Sequence, residues 1–343
     1  MGGKPVLDQL NREWPDKVHF EVTTRCNLLC YMCRDMRPTL AQAVKLCDGR
    51  LNSFKRLFPF VKKCQDIGLF GWGEPLFHPE IRKFIKACGK NVNVVRYNNT
   101  MEISPKYRLT TNGTLLSKEV SNLLVKNNFY AIDVSMDSPY AKTYEMIRKG
   151  ANFEDVVRNV KSFQETKRRQ EKDFPSLGIE FVAMKQNIEQ LPDMVLFAKD
   201  VLGADYLIVV YVVIVTPGLE NESLFYHQEL ANRIFEKTKG IAQELKFHVI
   251  LPPSFGSRTE PESYCDEIYR CFYVQTSGKV IPCCNLTESY IGDINRQRPE
   301  EIWNGEMHQM IKEDFKQGKI KRCRTCSRFI GNDINKREVH ILV

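Results

Sequence analysis

Between residues 18 and 212, six short runs rich in β-branched and aromatic residues alternate with five helix-like stretches. The strand-like runs are 18–23, 67–72, 107–111, 131–136, 178–184 and 206–212. The helical stretches are 51–63, 79–88, 117–126, 153–169 and 191–202. Such alternation favours a parallel sheet with helices packed outside it. A dinucleotide-binding fold needs a G-x-G-x-x-G turn after its first strand, and none is present. The expected fold class is therefore α/β, a partial, open (β/α)6 barrel of TIM type. Ligands then belong at the C-terminal ends of the strands.

Polar residues on these strands keep one parity. His19, Glu21 and Thr23 alternate on the first strand. Asp133, Ser135 and Asp137 do so on and just past the fourth, and Glu180, Val182 and Met184 on the fifth. Side chains at i and i+2 point the same way. Turning polar groups inward is costly unless the lumen holds a polar ligand. Residues 91–106 are expected to be a solvated loop inserted at the barrel rim. Past residue 219 the pattern fades into a helix at 226–244, a short strand at 248–251 and a Pro-Pro linker. The expected division is an N-terminal extension (1–15), the barrel (16–250), a second module (251–330) and a tail (331–343).

The loop leaving the first strand carries Cys26, Cys30 and Cys33, in the pattern C-x3-C-x2-C. Three thiols so close cannot all pair as disulfides. They suit a soft metal, either zinc or an iron–sulfur cluster. A structural zinc site wants four closed ligands, and no Cys or His lies within the ten residues after Cys33. At the end of the second strand stands Gly71-Trp72-Gly73-Glu74-Pro75, where glycine permits close backbone approach.

The chain has twelve cysteines. No apolar signal-peptide core occurs in its first eleven residues, and no run nears the roughly 18 apolar residues of a membrane span. Clustered cysteines in a reducing compartment indicate metal rather than disulfides, so a cytoplasmic location is expected. The net charge of +8 comes from 50 basic and 42 acidic residues without a basic arm. The densest run, Lys167-Arg168-Arg169 to Lys172, reads as the solvated face of a helix, so nucleic acid is not an expected partner.

Six more cysteines lie late in the chain: Cys265, Cys271, Cys283, Cys284, Cys323 and Cys326. Residues 272–275 and 279–282 flank Thr276-Ser277-Gly278, a hairpin signal that brings Cys283 to the far end. Cysteines flanking a hairpin, joined to a distant C-x2-C, indicate a tetrathiolate site, with zinc and iron–sulfur both open by ligand type.

The C-x3-C-x2-C loop after a strand, followed by Gly73-Glu74-Pro75, resembles the radical S-adenosylmethionine (radical SAM) superfamily. That resemblance implies that Cys26, Cys30 and Cys33 hold a [4Fe-4S] cluster whose open iron chelates the amino and carboxylate groups of SAM. It makes these three the expected catalytic and metal residues. It also implies cofactor contacts at Gly73 and Glu74 on the strand edge, although Trp72 stands where a glycine is usual. Further contacts are implied at Thr111 and Asn112, at Ser135 and Asp137 toward the SAM carboxylate and ribose, at Met32 near adenine, and at Met184.

The C-terminal module resembles the twitch domain, the short form of the SPASM domain. The matching pieces are C-x12-G-x4-C from Cys265 through Gly278 to Cys283, the Ile302-Trp303-Asn304 helix, and Cys323-x2-Cys326. The resemblance implies one auxiliary [4Fe-4S] cluster on Cys265, Cys283, Cys323 and Cys326. Cys271 is the substitute ligand, since long-form proteins use a cysteine six residues after the first. Cys284 is expected on the opposite strand face from Cys283 and so not to ligate. Cys47, Cys64 and Cys88 are expected to be core or surface thiols.

The implied activity is reductive cleavage of SAM to a 5′-deoxyadenosyl radical that takes a hydrogen atom from substrate. The implied substrate is a small sugar- or cyclitol-type metabolite or a peptide. A short segment before the first strand leaves little room for a leader-binding domain and gives the peptide less weight. The implied electron donor is a reductant such as flavodoxin or ferredoxin. The alternative is a non-catalytic zinc or iron–sulfur protein that binds RNA or a protein partner. It accounts for the thiols and the charge but not for an open three-thiol site beside a Gly-Glu-Pro strand edge.

Overall fold

The computed structural model describes residues 12–33, 46–97, 100–214, 218–256, 265–324 and 326. Most of the expected N-terminal extension and all of the expected tail, 331–343, lie outside the described residues. The first strands are β1 (Lys17–Phe20) and β2 (Asp66–Leu69). Next come β3 (Asn93–Tyr97) and β4 (Thr100–Ser104), then β5 (Lys106–Thr111), β6 (Ala131–Ser135), β7 (Ser176–Ala183) and β8 (Tyr206–Tyr211). The six strands β1, β2, β5, β6, β7 and β8 pair in that order, all parallel, as the alternation requires.

Helices cover the outer side. α1 (Leu51–Lys55) and α2 (Phe58–Cys64) replace the single helix expected over 51–63. The break falls where Pro59 enters the first turn of α2, a position that suits proline's missing N–H. α3 (Ile81–Gly89) follows. α4 (Lys118–Lys126) is capped by Ser117, whose hydroxyl accepts from the Val120 N–H. After α5 (Ala141–Ile147) comes α6 (Phe153–Arg169), capped by Asn152. α7 (Leu191–Leu196) and α8 (Gln228–Glu244) complete the barrel side.

Strand parity sorts the side chains. Val18, Phe20, Ile67, Leu69, Tyr107, Leu109, Ile132, Val134, Ile179 and Leu207 are fully buried against helix residues such as Phe54, Phe84 and Phe163. Fully burying each such side chain contributes about 1.5–3 kcal/mol. The opposite parity faces the lumen; it is polar on β1, β5 and β6 (His19, Arg108, Thr110, Asp133, Ser135) and at Glu180, and apolar at Val182, Ile208 and Val210. At the N-terminal end of the barrel Tyr206 donates to Asp133 at 2.7 Å, and Arg108 bonds Asp66 at 3.1 Å. These pairs form a floor and leave the C-terminal end for a ligand.

Three features depart from the sequence reading. Residues 93–97 and 100–104 pair antiparallel as β3 and β4 instead of forming an irregular loop. β9 (His248–Ile250) joins β8 as a further parallel strand. The third departure concerns the C-terminal module, whose first strand, β10 (Cys271–Val274), pairs parallel with β1. The register sets Lys17 against Cys271 and Phe20 against Val274. β11 (Lys279–Ile281) and β12 (Gly292–Asp293) then extend the same ten-stranded sheet antiparallel. Phe272, Val280, Ile302 and Trp303 share one core with Val18 and Phe60. The module is thus built onto the barrel edge. Its helices are α9 (Glu267–Arg270), α10 (Pro299–Trp303), α11 (Glu306–Lys316) and α12 (Lys321–Arg324).

Candidate metal centres

The first three thiols sit on the loop past the C-terminal end of β1. Cys30 is buried, while Cys26 and Cys33 are half-buried. The loop is fastened to the segment after α5. The Leu29 N–H donates to Lys149 O at 2.9 Å, and the Tyr31 N–H to Ile147 O at 2.7 Å. Burial pushes the Cys26 thiol up to about 12 and also raises Cys30. These thiols therefore stay protonated at neutral pH unless a metal takes the proton's place. Two N–H groups already face the Cys26 sulfur: the Leu28 backbone at 3.4 Å and Asn112 Nδ2 at 3.9 Å.

The strand edge after β2 lies against this loop. The Glu74 N–H donates to Arg25 O at 2.8 Å. A Cβ on Gly73 would stand 2.3 Å from Thr23 O and 2.6 Å from Arg25 O. Glycine is needed here because the edge packs on the cysteine loop itself; the close approach expected toward a ligand is made to the protein's own backbone. The Glu74 carboxylate also turns inward. It accepts from Leu76 N at 2.9 Å, Thr111 Oγ1 at 2.7 Å and Asn112 N at 2.6 Å. Burial raises its pKa against those three donors. The Glu74 and Thr111 side chains thus join the ends of β2 and β5. Asn112 faces the thiol loop, bonding Asn27 Oδ1 at 3.0 Å.

Asp137 is held by an ion pair that the sequence does not announce. It is fully buried. One oxygen accepts from Arg148 Nε at 2.6 Å and the other from the Val182 N–H at 2.9 Å. Each oxygen thus already has one donor inside the protein, Arg148 or the Val182 amide. Ser135, at the end of β6, is buried and paired through its register with Glu180, and among the described residues its hydroxyl makes no hydrogen bond. Arg148, which the sequence reading missed, also reaches to 3.9 Å from Cys30 Sγ. Burial disfavours its charge, yet Asp137 and then Cys30 outweigh that and raise its pKa well above the ordinary value. Asp137→Ala is expected to lower unfolding stability by about 3–5 kcal/mol, because it strands a buried guanidinium. Denaturant unfolding of the apoprotein measures this, and a change within error of zero contradicts the ion-pair role.

Met184 packs with Ile147, Val212, Ile214 and Leu219, and Met32 and Tyr31 lean on the same cluster. The two expected methionines thus share one apolar wall beside the thiol loop.

In the second module Cys265, Cys283 and Cys323 lean on one apolar cluster of Ile268, Tyr269, Leu286 and Phe315. Burial pushes Cys265 and Cys323 up to about 12; Glu267 acts next at Cys265, and Cys326 adds a smaller push at both. Asn285, also missed in the sequence, aims two N–H groups at this set. Its backbone donates to Cys283 Sγ at 3.3 Å and its side chain to Cys326 Sγ at 3.0 Å. Cys271 is bonded to Glu267 Oε2 at 2.9 Å and close to Cys284, neighbours that also touch Cys265 and Cys283 respectively. Cys283 and Cys284 both stand in the turn beyond β11. Strand alternation therefore does not separate them, contrary to the expected reason for excluding Cys284.

Among the described residues no three His, Cys, Asp or Glu side chains converge enough to hold a single metal ion. A mononuclear zinc draws its thiolates to about 2.3 Å from one atom. A four-iron cluster offers a separate iron to each thiolate, so its ligands stand apart. Soft donors met by N–H groups suit such clusters at both sites.

A model of the radical SAM superfamily matches residues 20–198, more than half of the chain. The chain belongs to the radical SAM superfamily. A second model, for the SPASM iron–sulfur cluster-binding domain, matches residues 265–327. This radical SAM enzyme is 24% identical to the tungsten-containing aldehyde ferredoxin oxidoreductase cofactor-modifying protein of Pyrococcus furiosus, over 90% of this chain and 86% of that one. It is 25% identical to the AdoMet-dependent heme synthase of Methanosarcina barkeri, covering 87% and 85%. A probable GTP 3′,8-cyclase of Methanocaldococcus jannaschii is 24% identical, covering 86% and 98%. The crystal structure of Streptococcus suis SuiB bound to S-adenosylmethionine shares the fold, with a TM-score of 0.68 at 16% identity over 96% of this chain and 74% of that one. Membership brings a [4Fe-4S] cluster and SAM to the barrel and iron–sulfur chemistry to the SPASM part, and it sets aside the non-catalytic alternative. Among the described residues no helix is long and apolar enough to cross a membrane.

Proposed function

We propose that this enzyme binds SAM on a [4Fe-4S] cluster held by Cys26, Cys30 and Cys33 in the barrel, residues 16–250. It holds one auxiliary [4Fe-4S] cluster on Cys265, Cys283, Cys323 and Cys326 in residues 251–330, and acts on a small polar metabolite of sugar or cyclitol type. When bound, the cluster and SAM supply a 5′-deoxyadenosyl radical that takes a hydrogen atom from substrate. Asn112 and the Leu28 amide steady the Cys26 sulfur, and Arg148 offsets negative charge at Cys30. The Ser135 hydroxyl offers a donor and two acceptor sites to the SAM carboxylate or ribose. Met32 and Met184 give adenine an apolar surface, and their cluster keeps water from the reacting centre. A one-electron donor such as flavodoxin or ferredoxin supplies the reducing equivalent.

The observation that carries the substrate class is the inner parity of the strands. Thr110, Ser135 and Glu180 face the lumen above its floor, and polar walls are worthwhile only around a polar guest. Relatives named for modifying a cofactor, making heme and cyclising GTP support a small-molecule substrate. The test is deuterium transfer. Metabolites from cells grown in deuterated water are split into a small polar pool and a peptide pool, and each is given to the reduced enzyme with SAM. Deuterium should enter 5′-deoxyadenosine with the small polar pool. Entry with the peptide pool alone refutes the substrate class.

A further inference from the structure

We propose that Glu21 is a positioning residue that clamps the SAM-facing strand edge to the auxiliary module, so that SAM binding and the auxiliary hairpin are energetically coupled. The inference rests on the function proposed above. Glu21 follows β1 and is 3% exposed. Its Oε1 accepts from the Trp72 N–H at 3.1 Å, in the middle of the Gly71-Trp72-Gly73 edge. Its Oε2 accepts from the Thr276 N–H at 3.4 Å, in the turn between β10 and β11 that leads to Cys283. One buried carboxylate therefore bridges two peptides that belong to different cluster sites. The Glu21 N–H adds a bond to Val274 O at 2.8 Å, carrying the β1–β10 pairing up to the turn.

The neighbourhood is shaped around this bridge. A Cβ on Gly71 would lie 2.4 Å from Glu21 Cγ, so the edge can pass the carboxylate only as glycine. Thr276 has a second tether. Its hydroxyl lies 2.8 Å from Cys47 Sγ, and the Cys47 N–H donates to Thr24 Oγ1 at 2.8 Å. Thr24 stands two residues before Cys26. The auxiliary turn is thus tied to both walls of the SAM site. Breaking either bond would take a partner from a buried polar group, which is what makes the bridge costly to open. A ligand that orders the strand edge therefore also orders the turn, and the effect must be reciprocal.

The test uses the reconstituted holoenzyme under anaerobic conditions, with SAM as the probe. Hydrogen exchange is followed in residues 275–283 and 20–33, with iron counted in each sample. In the wild type SAM should slow exchange in both segments. In Glu21→Gln, which keeps the volume but replaces one acceptor by a donor, slowing should persist in 20–33 and vanish in 275–283. SAM affinity should fall about tenfold, within the usual range of coupling between sites. Loss of the auxiliary cluster through Cys323→Ala should weaken SAM binding in the wild type and add nothing in Glu21→Gln, a non-additivity that a merely structural role does not produce. If Glu21→Gln, with full iron, shows wild-type slowing in the turn and additive losses, the clamp is refuted. If the wild type itself binds no SAM, the reading of the barrel site fails and the clamp falls with it.

Discussion

Cys30→Ala protein, reduced with dithionite in the presence of SAM, forms no 5′-deoxyadenosine above background. The loss is expected to be complete because Cys30 is the buried member of the triad and has no substitute thiol. Removing it leaves the loop two sulfurs, Cys26 and Cys33, both half-buried. Iron content should fall by about four atoms per chain while the auxiliary cluster persists. Cys26→Ala and Cys33→Ala should behave alike. Asn112→Ala removes a donor to sulfur together with the bonds to Asn27 and Thr114 but leaves all three thiols, so it should slow cleavage without abolishing it. Chromatographic quantitation of 5′-deoxyadenosine and methionine decides the matter, and wild-type-like turnover in Cys30→Ala overturns the assignment.

The second large effect separates Cys265 from Cys271. Cys265 shares its surroundings with Cys323 and Cys326, whereas Cys271 is bonded to Glu267 beside Cys284. Cys265→Ala should therefore lose about four irons per chain, and Cys271→Ala should keep them. The same asymmetry should appear in stability. A cluster ligated in the folded module adds to folding free energy as structural metals do, so Cys265→Ala should also loosen α11, α12 and the hairpin. SAM cleavage should continue in Cys265→Ala, uncoupled from substrate conversion, because the barrel site is intact. Iron and sulfide analysis of both variants gives the answer. If Cys271→Ala alone loses iron, the ligand set is wrong at that position.

The barrel was legible because its signals are local. Val18 and Phe20 face the helices while His19 and Glu21 face the lumen, an alternation written in consecutive residues. The thiol spacings are local too. What stayed hidden depends on distant partners. Asp137 read as a ribose acceptor because a carboxylate at a strand end is open by default. Arg148, eleven residues on, pairs with it, and nothing in the intervening helix announces that bond. Glu74 was hidden in the same way by Thr111 and Asn112. The pairing of β1 with β10 joins segments about 250 residues apart, which no local period encodes. The β3–β4 ribbon escaped notice because Val94 and Val95 are both exposed, so the segment lacks a one-sided apolar pattern.

The central claim is that two cysteine sets on one continuous sheet hold two four-iron clusters, one of which works with SAM. Its most direct test is a single anaerobic preparation of the wild-type protein, analysed for metal and given SAM and a one-electron reductant. The account predicts a brown protein with about eight irons per chain and stoichiometric release of methionine and 5′-deoxyadenosine. A colourless, zinc-loaded protein that leaves SAM intact contradicts it.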